Sequence, residues 1–102
     1  MTTNHLTDFK TTYESLKEME DWKFFIHLYH HDFNGEPFLT IGSYIETLRL
    51  EYVSEYGLII TIITPETILS FSEKNYYTNV SNGATVFASK YDNQTHCIIE
   101  FG

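Results

Sequence analysis

The chain has 102 residues and a formal net charge of −8, because fourteen aspartates and glutamates outnumber six lysines and arginines. Charge of this sign disfavours nucleic acid and anionic membranes as partners and favours a basic protein. The length is that of one domain, residues 1–102, and a hydrophobic content of 42% is too high for an intrinsically disordered chain. We therefore expect one folded, acidic domain.

The first predicted element is an amphipathic helix over residues 4–20. Its apolar stripe recurs at steps of three and four residues, as on one face of a helix. The stripe consists of Leu6, Phe9, Tyr13 and Leu16. Thr3 or Asn4 can cap the start of this helix. Glu14 and Glu18 are one turn apart and are expected to share a solvent-facing side.

After the helix, the pattern changes to the period of two residues that is typical of β-strands. In residues 22–30, Phe24, Ile26 and Leu28 alternate with side chains that face the other way. A continuation of the first helix is the alternative interpretation of this segment. Alternation predicts six further strands, over residues 38–44, 47–52, 58–63, 68–72, 84–91 and 95–101. Residues 75–83 are predicted to form a polar loop.

Residues 58–63 give the most informative strand, because both of their faces are apolar. A strand of this kind occupies a central position and is covered on both sides. The helix can cover one side only, so the other requires curling of the sheet, a second subunit or a partner. The predicted fold class is therefore α+β, an N-terminal helix packed on one curved antiparallel meander of about six or seven strands.

The sequence contains no recognisable catalytic motif, and we expect neither catalytic residues nor a cofactor. Cys97 lies in an apolar run, where a buried, unreactive thiol is expected. His27, His30, His31 and Asp32 are the densest set of potential metal ligands, but their spacing does not predict a metal site. A pocket lined by His27, Tyr29 and a carboxylate is the small-ligand or enzymatic alternative.

A partner-binding surface is predicted instead from acidic and aromatic residues on segments expected to be exposed. Carboxylates accelerate docking of a basic partner, and tyrosines supply contact area at low entropic cost. The predicted set is Glu14, Glu18, Asp21, Asp32, Glu36, Glu51, Glu55, Tyr56, Tyr76 and Tyr77. Tyr56 lies in a predicted hairpin turn with Gly57, and Tyr76 and Tyr77 lie in the predicted polar loop.

In size, charge and aromatic content the whole chain resembles the immunity proteins of bacterial toxin systems, including those of contact-dependent growth inhibition. Eight tyrosines, eight phenylalanines and one tryptophan make up 17% of the residues. The resemblance implies stoichiometric blockade of the active site of a basic toxin, such as a nuclease. Since neither a secretory signal nor an apolar run long enough to span a membrane is evident, we also expect a cytoplasmic protein, and its negative charge disfavours direct contact with nucleic acid.

Two other functions are consistent with the same features. A phage-encoded inhibitor that mimics DNA, of the anti-CRISPR type, would use rows of carboxylates in place of phosphates. A small ligand-binding or enzymatic domain is the other alternative. A homodimer closed by the strand with two apolar faces is compatible with each of these functions.

Overall fold

Secondary structure confirms the α+β class. The computed structural model describes residues 7–29, 37, 39–81, 83–91 and 95–101. These residues form the helix α1 (Phe9–Glu18) and eight strands. The strands are β1 (Lys23–Tyr29), β2 (Leu39–Tyr44), β3 (Thr47–Val53), β4 (Gly57–Ile63), β5 (Ile68–Ser72), β6 (Tyr76–Ser81), β7 (Ala84–Ser89) and β8 (His96–Phe101).

The strands form two antiparallel sheets, so the prediction of a single meander of six or seven strands is wrong. The five-stranded sheet has the order β2-β1-β8-β7-β6, and the three-stranded sheet has the order β3-β4-β5. The last strand lies beside the first, with Ile26 opposite Ile99 and Leu28 opposite Cys97. Alternation in the sequence identifies which face of a strand is buried, but it does not identify the neighbouring strand.

The predicted polar loop over residues 75–83 is wrong, because most of it is strand β6. Its Thr78 faces the interior and is buried. The Thr78 hydroxyl lies 2.8 Å from the Thr12 hydroxyl and donates a hydrogen bond to the Thr7 carbonyl at 2.6 Å. Threonine can occupy an inward position here because its polar atom is satisfied. The sequence pattern did not indicate a strand here, because a polar threonine occupies an inward position where an apolar residue is expected.

The core joins both sheets and the helix. The Phe71 ring of β5 stacks on the Phe87 ring of β7, with centroids 3.9 Å apart and planes 6° apart. Phe9 of α1 meets Phe87 edge-on at 6.3 Å. Phe87 is fully buried. The two sheets therefore pack against one another, and the helix contributes to the same apolar cluster.

Strand β4 lies at the centre of the three-stranded sheet, as its apolar character predicts. Ile60 and Ile62 face inward and are fully buried. On the opposite side, Ile59, Thr61 and Ile63 are half-buried. The inner face is thus covered by the core, whereas cover of the outer face by a second subunit or a partner stays a prediction.

Helix α1 is shorter than the predicted helix over residues 4–20, because it begins later and ends earlier. It begins at Phe9, because Asp8 has an extended backbone and its Oδ1 accepts a hydrogen bond from the Thr11 N–H at 2.7 Å. Asp8 therefore acts as the N-cap. The predicted helix start and the predicted caps Thr3 and Asn4 lie outside the described residues. At the other end, the chain leaves the helix after Glu18.

Replacing the N-cap by alanine is expected to destabilise the protein in a pH-dependent way. The hydrogen bond from the Thr11 backbone is the main cause that lowers the pKa of Asp8 below 3.8. A lowered folded-state pKa stabilises the fold above the unfolded-state pKa, and this contribution is lost as the pH falls through the folded value. Urea titrations should show D8A less stable than wild type near neutral pH, with a difference that narrows in acid.

The control for this measurement is D8N, because asparagine caps a helix without a charge. It should stay closer to wild type than D8A at neutral pH. A D8A defect of constant size down to strongly acidic pH would contradict the role of the ionised carboxylate.

Truncation of Phe87 should remove the contact between the sheets. F87A is expected to lower the free energy of unfolding by about 3–5 kcal/mol, because it removes a buried ring and leaves a cavity. Y52A is the matched aromatic control, since Tyr52 is 71% exposed. It should change stability by less than about 0.5 kcal/mol. Equal effects of the two substitutions in urea unfolding would contradict the proposed core.

Candidate functional site

The exposed side of α1 carries two of the predicted binding carboxylates. Phe9, Thr12 and Leu16 are buried, which fixes the orientation of the helix. Glu14 and Glu18 lie one turn apart on the opposite side and are exposed. The structure therefore places this pair at the surface, as the helical pattern predicts.

Asp21 follows the helix and is also exposed. Its φ of 73° lies in the left-handed region, which aspartate tolerates better than most residues other than glycine. The next residue, Trp22, is 55% exposed. The end of α1 thus presents a carboxylate and a large aromatic ring in consecutive positions.

The hairpin between β3 and β4 provides a second exposed acidic and aromatic region. Glu51, Glu55 and Tyr56 are exposed, and the predicted turn is confirmed by Gly57, whose φ is 76°. The carboxylate of Glu73 packs against this turn and accepts a hydrogen bond from the Leu58 N–H at 2.7 Å. The predicted residues Asp32 and Glu36 lie outside the described residues.

The two adjacent tyrosines of β6 face opposite ways. Tyr76 is half-buried, and its ring contacts Phe71 edge-on at 5.1 Å. Tyr77 is 45% exposed on the outer face of the five-stranded sheet. Both tyrosines belong to β6, so the prediction that they lie in a loop is wrong. The strand places their successive side chains on opposite faces. Tyr76 packs against the core, and Tyr77 is at the surface.

Three lysines lie over tyrosine rings. The pairs are Lys17 with Tyr13 at 5.9 Å, Lys74 with Tyr56 at 5.4 Å, and Lys90 with Tyr77 at 5.0 Å. Among the residues that the structure describes, Lys17–Glu20 is the one ion pair between a lysine or arginine and a carboxylate, at 4.0 Å. Most carboxylates among the described residues therefore have no lysine or arginine nitrogen within 4.0 Å.

His27 lies on the outer face of the five-stranded sheet and connects three strands. Its Nε2 is 2.8 Å from Glu100 Oε1, and its Nδ1 is 3.2 Å from Thr40 Oγ1. This is the carboxylate that the enzymatic alternative requires near His27. However, the Glu100 side chain is 59% exposed. Water screens such a pair, so we interpret the contact as a weak cross-strand interaction.

The predicted histidine cluster falls largely outside the described residues, since His30, His31 and Asp32 are not among them. Within the described part of the chain, no three histidine, cysteine, aspartate or glutamate side chains converge as metal ligands would.

Sequence reasoning missed an exposed aromatic pair on the outer face of the five-stranded sheet. Phe25 is 50% exposed and Tyr44 is 41% exposed. Alternation along β1 places Phe25 on the face away from the buried Phe24, and this was the signal in the sequence that Phe25 is exposed. However, alternation alone does not show whether a large apolar ring on that face is covered. Tyr52 and Tyr91 are exposed as well, at 71% and 70%.

The fold is similar to that of the crystal structure of the YojF protein of Bacillus subtilis. The TM-score is 0.60, with 10% sequence identity over 96% of this chain and 92% of that chain. At this identity the similarity shows the fold alone. No protein-family model matches the chain, and a comparison with curated proteins finds no match. Among the described residues, no helix has the length and apolar composition needed to cross a membrane.

The free thiol of Cys97 is expected to be unreactive in the folded protein. Burial raises the pKa of Cys97 to about 12. Since the thiolate is the nucleophile, about one molecule in ten thousand would carry it at about pH 8. A disulfide reagent should label Cys97 slowly under native conditions and rapidly in urea. Rapid native labelling at the rate of a free cysteine peptide would contradict the observed burial.

Proposed function

We propose that this protein is an immunity protein that binds a basic toxin and blocks its active site. One observation supports the proposal. Three lysines lie over tyrosine rings, and among the described residues no lysine, arginine or histidine nitrogen comes within 4.0 Å of the exposed carboxylates of Glu14, Glu18 and Glu51. A surface of this kind attracts a basic partner and repels an acidic one.

The toxin would be a nuclease in this proposal, because enzymes that cleave nucleic acid hold phosphates with lysine and arginine. Glu14 and Glu18 would compete with phosphates for these groups. Both carboxylates lie on a formed helix, so the backbone that presents them would not have to fold on binding, which would keep the cost of binding low. Tyr56, at the tip of the β3–β4 hairpin, would supply an aromatic contact.

A DNA mimic is a weaker alternative for the same surface. Such an inhibitor requires long rows of carboxylates at the spacing of phosphates. On α1, exposed Lys10 and Lys17 lie close to the two glutamates in the sequence and interrupt such a row. The observations therefore support a specific protein partner more than a general imitation of DNA.

Removal of the helix carboxylates should slow association with the toxin. E14Q/E18Q removes two negative charges and is expected to reduce the association rate about three- to tenfold at low salt, because exposed charges act mainly through steering. The matched control E46Q/E100Q removes two exposed charges away from α1 and should change the rate less than about twofold. The rates can be measured by stopped flow or surface plasmon resonance.

The toxin is first isolated by affinity capture with the wild-type protein and identified by mass spectrometry. Its expression in a bacterial host should arrest growth, and co-expression of this protein should restore it. A partner without a basic surface, or affinity that is indifferent to ionic strength, would overturn the proposal. A captured partner that cleaves no nucleic acid would overturn the nuclease assignment.

A further inference from the structure

A groove of about 390 Å³ lies at the edge of the five-stranded sheet, where β1 pairs with β2. It is separate from α1 and from the β3–β4 hairpin tip. Aromatic, cationic and acidic side chains line it together. They include Lys23, Phe25, Gly42, Ser43, Tyr44 and Glu66.

The Phe25 ring packs closely against the neighbouring strand although it is exposed. Phe25 lies directly opposite Gly42 in the β1–β2 pairing. A Cβ at Gly42 would meet Phe25 Cε1 at 3.1 Å, so glycine lets the ring approach the neighbouring strand closely. Half of Phe25 nevertheless faces solvent, and Tyr44 is 41% exposed. An exposed aromatic surface rimmed by polar groups is typical of an interaction site.

One carboxylate of the groove, that of Glu66, is oriented by a hydrogen bond. Glu66 lies in the turn after β4, and its Oε1 accepts a hydrogen bond from the Ser43 hydroxyl at 2.8 Å. Among the described residues, no lysine, arginine or histidine nitrogen comes within 4.0 Å of Glu66. Ser43 pairs with the buried Phe24 and faces the inner side of β2. Glu66 therefore borders the groove from the edge of the sheet, whereas Phe25 and Tyr44 border it from the outer face.

We propose that this groove binds an arginine side chain of a basic partner protein. The planar guanidinium stacks on Phe25 and Tyr44, and its N–H groups donate hydrogen bonds to the carboxylate of Glu66. Arginine fits better than lysine, because guanidinium is planar, weakly hydrated and able to stack. The inference rests on the proposed function in one respect only, the basic character of the partner.

Charge argues against a second copy of the chain as the occupant. Two copies each carry a net charge of −8, and they repel one another. A basic partner is instead attracted by the whole molecule as well as by Glu66. Lys23 also lines the groove and opposes a bound cation, so its removal should strengthen binding. Stronger binding after removal of Lys23 would distinguish a site for cations from a site that binds apolar groups only.

The test uses a short peptide as the probe, N-acetyl-Gly-Arg-Gly-amide, titrated into the full-length protein. The ring resonances of Phe25 and Tyr44 are followed by NMR. A peptide with citrulline in place of arginine is the matched control, because citrulline keeps the planar shape without the charge. We expect saturable shifts with arginine and affinity for citrulline lower by about fivefold or more.

Three variants test the assignment of the groove residues. E66Q should weaken arginine binding about three- to tenfold, because a neutral amide replaces the charged acceptor. K23Q should strengthen it about two- to threefold, because a repulsive charge is removed. F25L keeps an apolar side chain but removes the aromatic face, and should weaken binding about threefold or more. Urea unfolding of each variant shows whether the fold is retained.

The outcomes separate this inference from the proposed function. Equal binding of arginine and citrulline, or weaker binding by K23Q, would overturn the arginine site while leaving the toxin assignment standing. Arginine binding at the groove together with a basic partner whose activity this protein does not block would overturn the proposed function alone. Self-association that E66Q abolishes would show that a second copy, through its own arginine, is the occupant and would also overturn the inference.

Discussion

The stack of Phe71 on Phe87 is the contact on which the rest of the structure depends. Phe71 belongs to the three-stranded sheet and Phe87 to the five-stranded sheet, and their centroids are 3.9 Å apart. Phe9 reaches the same ring from the helix. A chain of this length with a single cysteine has no internal disulfide, so packing must join its layers. One buried ring connects all three of them.

A polar contact acts together with the buried Phe9 and Leu16 to orient the helix. The hydroxyls of Thr12 and Thr78 lie 2.8 Å apart in the interior, and the chain before the helix pairs with β6 through Thr7. These contacts hold the start of α1 against the edge of the five-stranded sheet. Glu14 and Glu18 consequently face outward. The proposed binding surface therefore depends on a buried hydrogen bond as much as on its own charges.

The same threonines show where sequence reasoning reached its limit. Alternation correctly predicted β1, and the two apolar faces of residues 58–63 correctly predicted the central position of β4. Alternation missed β6, since Thr78 is buried only because Thr7 and Thr12 satisfy its hydroxyl. It also missed the pairing of β1 with β8, which depends on contacts between distant residues. The exposed carboxylates of α1 were predictable, whereas the groove at Phe25 required the register with Gly42.

In the groove proposed for arginine, Lys23 weakens the attraction for every cation. Phe25 and Tyr44 increase the affinity most for a planar cation that stacks on their rings. Specificity is the difference between the affinities for two partners. A repulsive group can increase this difference although it lowers both affinities. A lysine of a competing protein would meet the same repulsion without equal stacking. The net charge of −8 attracts many basic proteins without distinguishing among them. Discrimination must therefore come from local sites in which charge and shape act together.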